Sequence, residues 1–312
     1  MDAQEMAREA MAVSQQRTAA NPAAVALKER KEKLKVMVKA ESVMEQFRNA
    51  LGKHSDTFVA SIIDLYNSDS TLQQCAPAAV VQEALKAATL RLPINKQLGF
   101  AYIIPFNNSK PDGNGGYVKV MEPTFMIGYK GYVQLAMRSG QYVTLNPDIV
   151  YEGEFVSRDK LTGRINLGGS KVSDKIVGYF CYEELVNGFA KTFYMTVEEV
   201  AAHAKRYSKG LKKTVTVENL IALAQQPFDP NSKVVGWMGN FHGMALKTVT
   251  RLLLSKWGYL SIEMQEAIAK DIAGDSTVDP NHPESEIMDT SYTEVTETPV
   301  DVDPETGEVK EK

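Results

Sequence analysis

The sequence predicts an α+β fold in which an antiparallel sheet with hairpins packs against helices. Segments with helical periodicity and segments with strand character follow one another as helices, hairpin, helix, strands, hairpin, helix, loop and helix. This order lacks the regular alternation of strand and helix that builds a parallel sheet. The sequence also contains no internal repeat.

The N-terminal part of the chain is predicted to be helical. Residues 1–22 are rich in Ala, Gln and Arg without a clear pattern, and we expect this terminus to be flexible. Residues 23–49 have the pattern of a helix with a basic face, either continuous or interrupted near Ala40. Helical periodicity then returns over residues 55–69 and 76–92.

A first hairpin is predicted in the middle of the chain. Residues 98–106 have strand character, and the turn-rich residues 107–116 connect them to a second strand over residues 117–129. A short helix over residues 129–139 follows, and further strand comes after it. The sequence therefore places a helix directly at the end of this hairpin.

A second hairpin is predicted within residues 175–196. The Asn-Gly dipeptide at 187–188 separates two β-rich runs, and this dipeptide is a strong signal for a two-residue hairpin turn. Thr196 and Glu199 have the spacing of a capping box, which predicts a helix that begins directly after the hairpin. Gly210 is predicted to end that helix.

The C-terminal part is predicted to contain a loop, a long helix and an acidic tail. Residues 211–235 are loop-like, and residues 236–258 form a helix in their second half. From residue 272 the composition changes to Asp, Glu, Thr, Ser and Pro, which is typical of disorder. The sequence thus predicts a core over residues 23–271 and a disordered acidic tail over residues 272–312.

Charge is distributed unevenly along the chain. Residues 271–312 contain thirteen acidic residues and two lysines, so this segment has a net charge of −11. Since the whole chain has a net charge of −4, the remaining residues carry +7. A basic body attracts polyanions, and an acidic tail can compete with them or bind a partner. A tail that only keeps the protein in solution would have the same composition.

The sequence lacks the signatures of several protein classes. It has no run of eighteen apolar residues and no N-terminal secretory signal. Its two cysteines, Cys75 and Cys181, are far apart, which favours reduced thiols in the cytoplasm. No P-loop, H-E-x-x-H, G-x-S-x-G or strand-linked G-x-G-x-x-G motif is present, and no spacing pairs two acidic residues for acid–base chemistry. We therefore expect no catalytic residues, no metal site and no cofactor.

Cations on two predicted helices are spaced to lie on one helix face. Lys130, Gln134 and Arg138 follow one another at intervals of four residues, as do Lys247 and Arg251. Lysine and arginine donate charge-assisted hydrogen bonds to phosphate oxygens. A helix face that is only solvated has the same spacing, so both interpretations remain open at this point.

A third cationic cluster lies between these helices, and aromatic residues are interleaved with the cations. Bases of a single DNA strand stack on aromatic rings while cations follow its backbone, without reading the sequence. Burial in the hydrophobic core is the alternative for each aromatic residue. The cations are Lys205, Arg206, Lys209, Lys212 and Lys213; the aromatic residues are Tyr102, Phe106, Tyr117, Tyr129, Tyr132, Tyr207, Trp237 and Phe241.

Three ordered blocks of the sequence carry a resemblance to a known family. They read LPINKQLGFAYIIPFNN, MIGYKGYVQLAMRSGQ and GWMGNFHGMALKTVTRLLLSKWGYL, and two shorter stretches between them match in order and spacing. These blocks resemble the RecT family of single-strand annealing proteins of phages and prophages. The resemblance covers about residues 78–262.

The resemblance also extends to individual positions. The family's G-Y-[KR]-G segment falls on residues 128–131 and its R-S-G segment on residues 138–140. A further family segment corresponds loosely to Arg206, Ser208 and Lys209. In the last block, Lys247 and Arg251 match cations of the family, whereas Leu246 and Thr250 replace two others.

The resemblance implies a RecT/Redβ-type annealing-protein core that coats single-stranded DNA and anneals complementary strands without ATP in phage-type homologous recombination. It implies homo-oligomeric rings or filaments, DNA in a groove across adjacent subunits, and a companion 5′→3′ exonuclease in the cytoplasm of a bacterial host. The acidic tail is a candidate site for the exonuclease or for a host single-strand-binding protein. The expected DNA-binding residues are Tyr129, Lys130, Gln134 and Arg138 on one groove wall, Lys247 and Arg251 on the other, and Lys205, Arg206 and Lys209 at the rim.

Three other functions stay open at this point. A nuclease would require a carboxylate cluster that binds divalent metal, and no such cluster is evident in the sequence. A passive coat protein would bind single strands without annealing them. A structural phage component would use the basic clusters for contacts between subunits.

Overall fold

The computed structural model describes residues 22–274, except residues 114, 209, 230, 231 and 233. Apart from Pro22 and the helical backbone of residues 272–274, the predicted flexible N-terminus and acidic tail lie outside the described residues. Helices and antiparallel strands occur together, which confirms the predicted α+β class.

The N-terminal part of the described chain consists of helices, as the periodicity predicts. The first helical segment is broken at Ala40, whose backbone is extended at ψ 135°. Pro77 stands in the first turn of its helix, where a missing N–H leaves no hydrogen bond unmade. The four helices are α1 (Pro22–Lys39), α2 (Glu41–Leu51), α3 (Ser55–Ser68) and α4 (Pro77–Thr89), with short 3₁₀ turns at Gly52–His54 and Leu72–Gln74.

Strands β1 (Ala101–Pro111) and β2 (Tyr117–Ile127) form an antiparallel hairpin. The first half of β1 and the second half of β2 are largely buried, whereas the halves near the turn are exposed. The sequence prediction ended β1 too early, because residues 107–111 continue the strand instead of forming the turn. Helix α5 (Tyr129–Arg138) follows β2 almost directly, as predicted.

The remaining strands are β3 (Tyr142–Tyr151), β4 (Ser157–Arg158), β5 (Ile165–Asn166), β6 (Ile176–Leu185) and β7 (Ala190–Thr196). A second sheet contains three antiparallel strands in the order β3-β6-β7, while β4 and β5 pair separately. The predicted hairpin joins β6 to β7, with Gly188 at φ 84° and the Asn187 side chain accepting a hydrogen bond from Phe189 N–H.

The remaining helices follow this sheet. The Thr196–Glu199 capping box is present, but its helix ends at Tyr207 with Ser208 as the C-cap, so the prediction of Gly210 as the cap is wrong. A helix within residues 211–235 was also missed, because its capping box has Asn219 where the usual motif has Glu or Gln. The helices are α6 (Val197–Tyr207), α7 (Val217–Ala224), α8 (Phe241–Lys256) and α9 (Ile262–Gly274), with a 3₁₀ turn at Gly236–Met238.

The buried apolar residues form two clusters. The first is built by α1–α5, the β1–β2 hairpin and α9. The second lies between the three-stranded sheet and α6–α8. Tyr142 of β3 and Leu254 of α8 belong to the first cluster, so these elements connect the two. Among the described residues, no helix is long and apolar enough to cross a membrane.

Candidate nucleic-acid interface

The start of α5 is held tightly against the start of β1. Gly128 N–H donates to Phe100 O at 3.0 Å. A Cβ atom on Gly128 would overlap the carbonyl oxygen of Gly99, and one on Gly131 would overlap that of Phe100. Both glycines are therefore required for a close approach between two backbones, which fixes where α5 begins.

Lys130 and Tyr102 lie side by side at this junction. A Cβ atom on Gly99 would lie 3.2 Å from Tyr102 Oη and 3.4 Å from Lys130 Cδ, so both side chains border the same glycine. Lys130 is exposed, and Tyr102 is half-buried. Burial, assisted by neighbouring Tyr129, raises the pKa of Tyr102, so its phenol stays neutral and can pack beside a base or a cation.

Alternate side chains of β1 face the same side of the hairpin as Tyr102. Ala101 and Ile103 are fully buried, whereas Tyr102, Ile104 and Phe106 are half-exposed. We call these three half-exposed residues the β1 surface. It presents two aromatic rings and an aliphatic side chain in one row.

The chain segment that follows α6 lies at the far end of the β1 surface. A Cβ atom on Gly210 would lie 3.7 Å from Phe106 Cε1, which is ordinary van der Waals contact. Lys205 Nζ donates to Lys213 O at 3.0 Å and so ties this segment back to α6. Lys212 and Lys213 are exposed here. The β1 surface is thus bordered by Lys130 at one end and by a cationic segment at the other.

Arg206 and Lys209 belong to the same predicted cluster. Arg206 is exposed, with its guanidinium carbon 5.3 Å from the centroid of the Tyr207 ring. Lys209 lies outside the described residues. The structure therefore links Lys205 to the segment that reaches the Phe106 end of the β1 surface, while DNA contact by Lys205, Arg206 and Lys209 stays a prediction.

The remaining polar positions of α5 are exposed, as the spacing predicts. Gln134 and Arg138 follow Lys130 along the helix. The Arg138 Nη2 atom donates to Leu90 O at 2.7 Å, at the C-terminal end of α4. Burial lowers the pKa of Arg138, and the charge of Arg91 lowers it further, while Glu263 acts in the opposite direction. Tyr129 is half-buried and packs against the second cluster of apolar residues.

The two cations of α8 that the sequence places on a groove wall, Lys247 and Arg251, are buried in the structure. Lys247 is 5% exposed and Arg251 is 6% exposed. Lys247 Nζ lies 2.8 Å from Asp271 Oδ1 on α9, a helix that the sequence interpretation did not include. Arg251 lies near His203 and, after burial, is the next cause that lowers the pKa of His203, to about 3. DNA contact by Lys247 and Arg251 stays a prediction.

The aromatic residues divide into core and surface. Tyr132, Trp237 and Phe241 are buried. Tyr117 is 77% exposed near the tip of the hairpin, and Tyr207 is half-exposed at the end of α6. Within the part of the chain that the structure describes, no group of three or more His, Cys, Asp or Glu side chains could hold a metal ion.

The β1 surface, with Lys130 at one end and the cationic segment after α6 at the other, is typical of a nucleic-acid-binding protein. Comparison with known proteins shows which family of such proteins this chain belongs to. The model of the RecT family matches residues 56–285, and the chain belongs to this family. Membership of this family supports a role in DNA binding, strand annealing and DNA recombination.

Two curated relatives agree with this membership. The uncharacterized protein YqaK of Bacillus subtilis (strain 168) is 39% identical over 239 residues, which cover 76% of this chain and 72% of that protein. Protein RecT of Escherichia coli (strain K12) is 26% identical over 241 residues, which cover 77% of this chain and 80% of that protein.

Proposed function

We propose that this protein binds single-stranded DNA along the β1 surface and anneals complementary strands without hydrolysing a nucleotide. The observation that carries the proposal is the placement of Tyr102, Ile104 and Phe106 between Lys130 and the cationic segment after α6. Aromatic rings stack on bases of any sequence, and lysines neutralise the phosphates on either side. Membership of the RecT family supports the same assignment.

The roles of the predicted site residues follow from their positions. Lys130, Gln134 and Arg138 contact the strand from α5, and Tyr129 supports that helix from its half-buried position. Lys205, Arg206 and Lys209 neutralise further phosphates in this proposal. Lys247 and Arg251 act in this proposal from the interior, by fixing α8 behind the interface.

In the proposed reaction, the protein holds one strand with its phosphates neutralised and its base edges accessible. A complementary strand then pairs with it, and stacking contributes about 1.4 kcal/mol per base-pair step. Pairing itself supplies the free energy, so the proposed reaction needs no ATP.

We also propose that the protein works as a homo-oligomer, either a ring or a filament. Among the described residues, β1 and β2 pair only with each other, so each leaves one strand edge open along the exposed half of the hairpin. Open strand edges pair readily with another chain. We propose as its partners a companion 5′→3′ exonuclease and a host single-strand-binding protein. The proposed location is the cytoplasm of a bacterial host.

The function is tested by annealing two complementary fluorophore-labelled oligonucleotides without ATP, followed by energy transfer. Wild type is expected to accelerate annealing. The variant Lys130→Ala/Lys212→Ala/Lys213→Ala is expected to bind labelled single strands more weakly. Its slope of log K against log salt should be shallower by about 2, since each phosphate contact contributes roughly 0.7.

A matched control removes three other exposed cations through Lys53→Ala/Arg158→Ala/Lys160→Ala. This control is expected to keep the wild-type slope. Equal losses in both triple variants would show that general charge, rather than the β1 surface, binds the strand. Single-strand binding without faster annealing would identify a passive coat, and no binding by wild type would overturn the proposed function.

A further inference from the structure

Arg91 has a backbone conformation that side chains rarely adopt. Its φ is +53°, and no other non-glycine residue in the described part of the chain has a positive φ. Arg91 N–H donates to Ala88 O at 2.9 Å, and Leu92 N–H donates to Ala87 O at 3.0 Å. This pair of hydrogen bonds is a Schellman motif at the end of α4, where the left-handed residue is usually glycine.

Glycine would be the less strained residue at this position, because a Cβ atom disfavours the left-handed conformation. The Arg91 side chain is exposed, and the structure gives it no hydrogen bond or ion pair with another described residue. Its own contacts therefore do not account for the strained backbone. Strain of this kind is often retained at functional sites.

A second guanidinium lies at the same helix end. Arg138 Nη2 donates to Leu90 O, the carbonyl group directly before Arg91. Leu90 and Arg91 are adjacent in the chain, so the Arg138 guanidinium lies beside the backbone of Arg91, and the charge of Arg91 contributes to the lowered pKa of Arg138 after burial and the opposing charge of Glu263. The charge of Glu263 raises the pKa of Arg138 more than that of Arg91 lowers it, and the C-terminal end of α4 favours cations, so two guanidinium groups can stay charged at one helix end.

We propose that Arg91 and Arg138 form a phosphate-binding pair for single-stranded DNA, with Arg91 as a binding residue that no motif in the sequence indicates. The proposal rests on the proposed function. A phosphodiester between the guanidinium groups would accept charge-assisted hydrogen bonds from both and relieve their repulsion. Lys130 and Arg138 are eight residues apart on α5, or about 12 Å, so the pair binds the strand at a point separate from Lys130.

Arg91→Gly separates this role from a structural one. Glycine removes the backbone strain, so the variant is expected to unfold at the wild-type temperature or higher. Binding of labelled oligo-dT is expected to weaken about five- to ten-fold near 0.1 M salt, since a charge-assisted hydrogen bond is lost. The slope of log K against log salt should become shallower by about 0.7.

Two further variants complete the experiment. Arg91→Lys keeps the charge and the strain, so it should retain the wild-type salt slope. Lys53→Ala removes an exposed cation at the α2–α3 junction and should leave the slope unchanged. Wild-type affinity and slope in Arg91→Gly would overturn the pair and leave Arg91 as a helix-capping residue only. Failure of wild type to bind oligo-dT would instead overturn the proposed function.

Discussion

The ammonium group of Lys247 lies 2.8 Å from the carboxylate of Asp271, and both side chains are almost completely buried. The same carboxylate accepts hydrogen bonds from Ile127 N–H at 3.0 Å and from the Tyr132 hydroxyl at 2.9 Å. One buried acid on α9 therefore joins α8, β2 and α5. Through this network, the helix that leads into the acidic tail is fixed directly behind the helix that carries Lys130.

Lys247→Ala is expected to destabilise the protein by about 3–5 kcal/mol. Removing one partner of a buried ion pair leaves the other as an uncompensated charge in the interior. Urea unfolding followed by circular dichroism measures this loss. A double-mutant cycle with Asp271→Ala should give a large coupling energy, because both changes affect one network.

Lys256→Ala is the matched control for this prediction, because Lys256 is exposed on the same helix. It is expected to change stability by no more than about 0.5 kcal/mol. Equal stabilities of the two variants would show that the ion pair does not hold α8 and α9 together. Binding of single-stranded DNA by the two variants is then compared under conditions in which both are folded. This comparison separates a structural role of Lys247 from a contact with DNA.

Much of the fold follows from local sequence signals. The Thr196–Glu199 capping box and the Asn-Gly hairpin act through neighbouring residues, so the sequence alone predicted both. The exposed stripe of α5 follows equally from helical spacing. In contrast, the burial of Lys247 depends on Asp271, 24 residues away on a helix that was not predicted. Spacing of cations cannot reveal a counter-charge that tertiary packing brings to one of them.

The β1 surface was only partly predictable for the same reason. Tyr102 and Phe106 were candidates for both stacking and core, because a half-exposed strand has the same alternation in either case. Gly210 lies beside Phe106 although the two are more than a hundred residues apart in the chain, and local sequence patterns cannot reveal such a neighbour. Arg91 was not singled out, since a left-handed backbone at a non-glycine residue has no signature in the sequence.

Glu183→Gln is expected to stabilise the protein at pH 8 and to have little effect near pH 4. Glu183 is fully buried on β6, and its carboxylate oxygens have no hydrogen-bond partner among the described residues. Burial raises the pKa of Glu183 to about 7. A raised folded-state pKa means that stability is complete below the unfolded pKa and is lost as the pH rises through about 7, by up to about 3 kcal/mol.

Chemical unfolding of wild type and Glu183→Gln between pH 4 and pH 8 tests this. The difference between the two curves is the relevant quantity, because the lowered pKa of His203 makes wild-type stability fall on acidification and partly masks the effect. Glu184→Gln, at the next position of β6, is the control and should show no comparable difference. A difference that is constant with pH would contradict a titrating Glu183.

Gly131→Ala is expected to lower stability by about 1–3 kcal/mol, the usual cost of forcing an additional group into a packed site. The new methyl group would overlap Phe100 O and press on Ile127, and the backbone oxygen cannot move without displacing β1. Thermal unfolding measures the loss. Gly210→Ala, whose methyl group would meet Phe106 at an ordinary 3.7 Å, should unfold near the wild-type temperature. Similar unfolding temperatures would show that α5 tolerates movement away from β1.

Phe106→Ala is expected to weaken binding of single-stranded DNA by about 1–3 kcal/mol without changing its salt dependence. A stacked base loses its aromatic partner, but no phosphate loses a cation, so the affinity falls while the slope of log K against log salt stays constant. Lys130→Ala should change both quantities, which separates the two kinds of contact on one surface. Anisotropy titrations of labelled oligo-dT at several salt concentrations measure the affinity and the slope.

Phe189→Ala, at an exposed ring in the β6–β7 turn, is the control for Phe106→Ala. An equal loss in Phe189→Ala, or a changed slope in Phe106→Ala, would argue against stacking on the β1 surface.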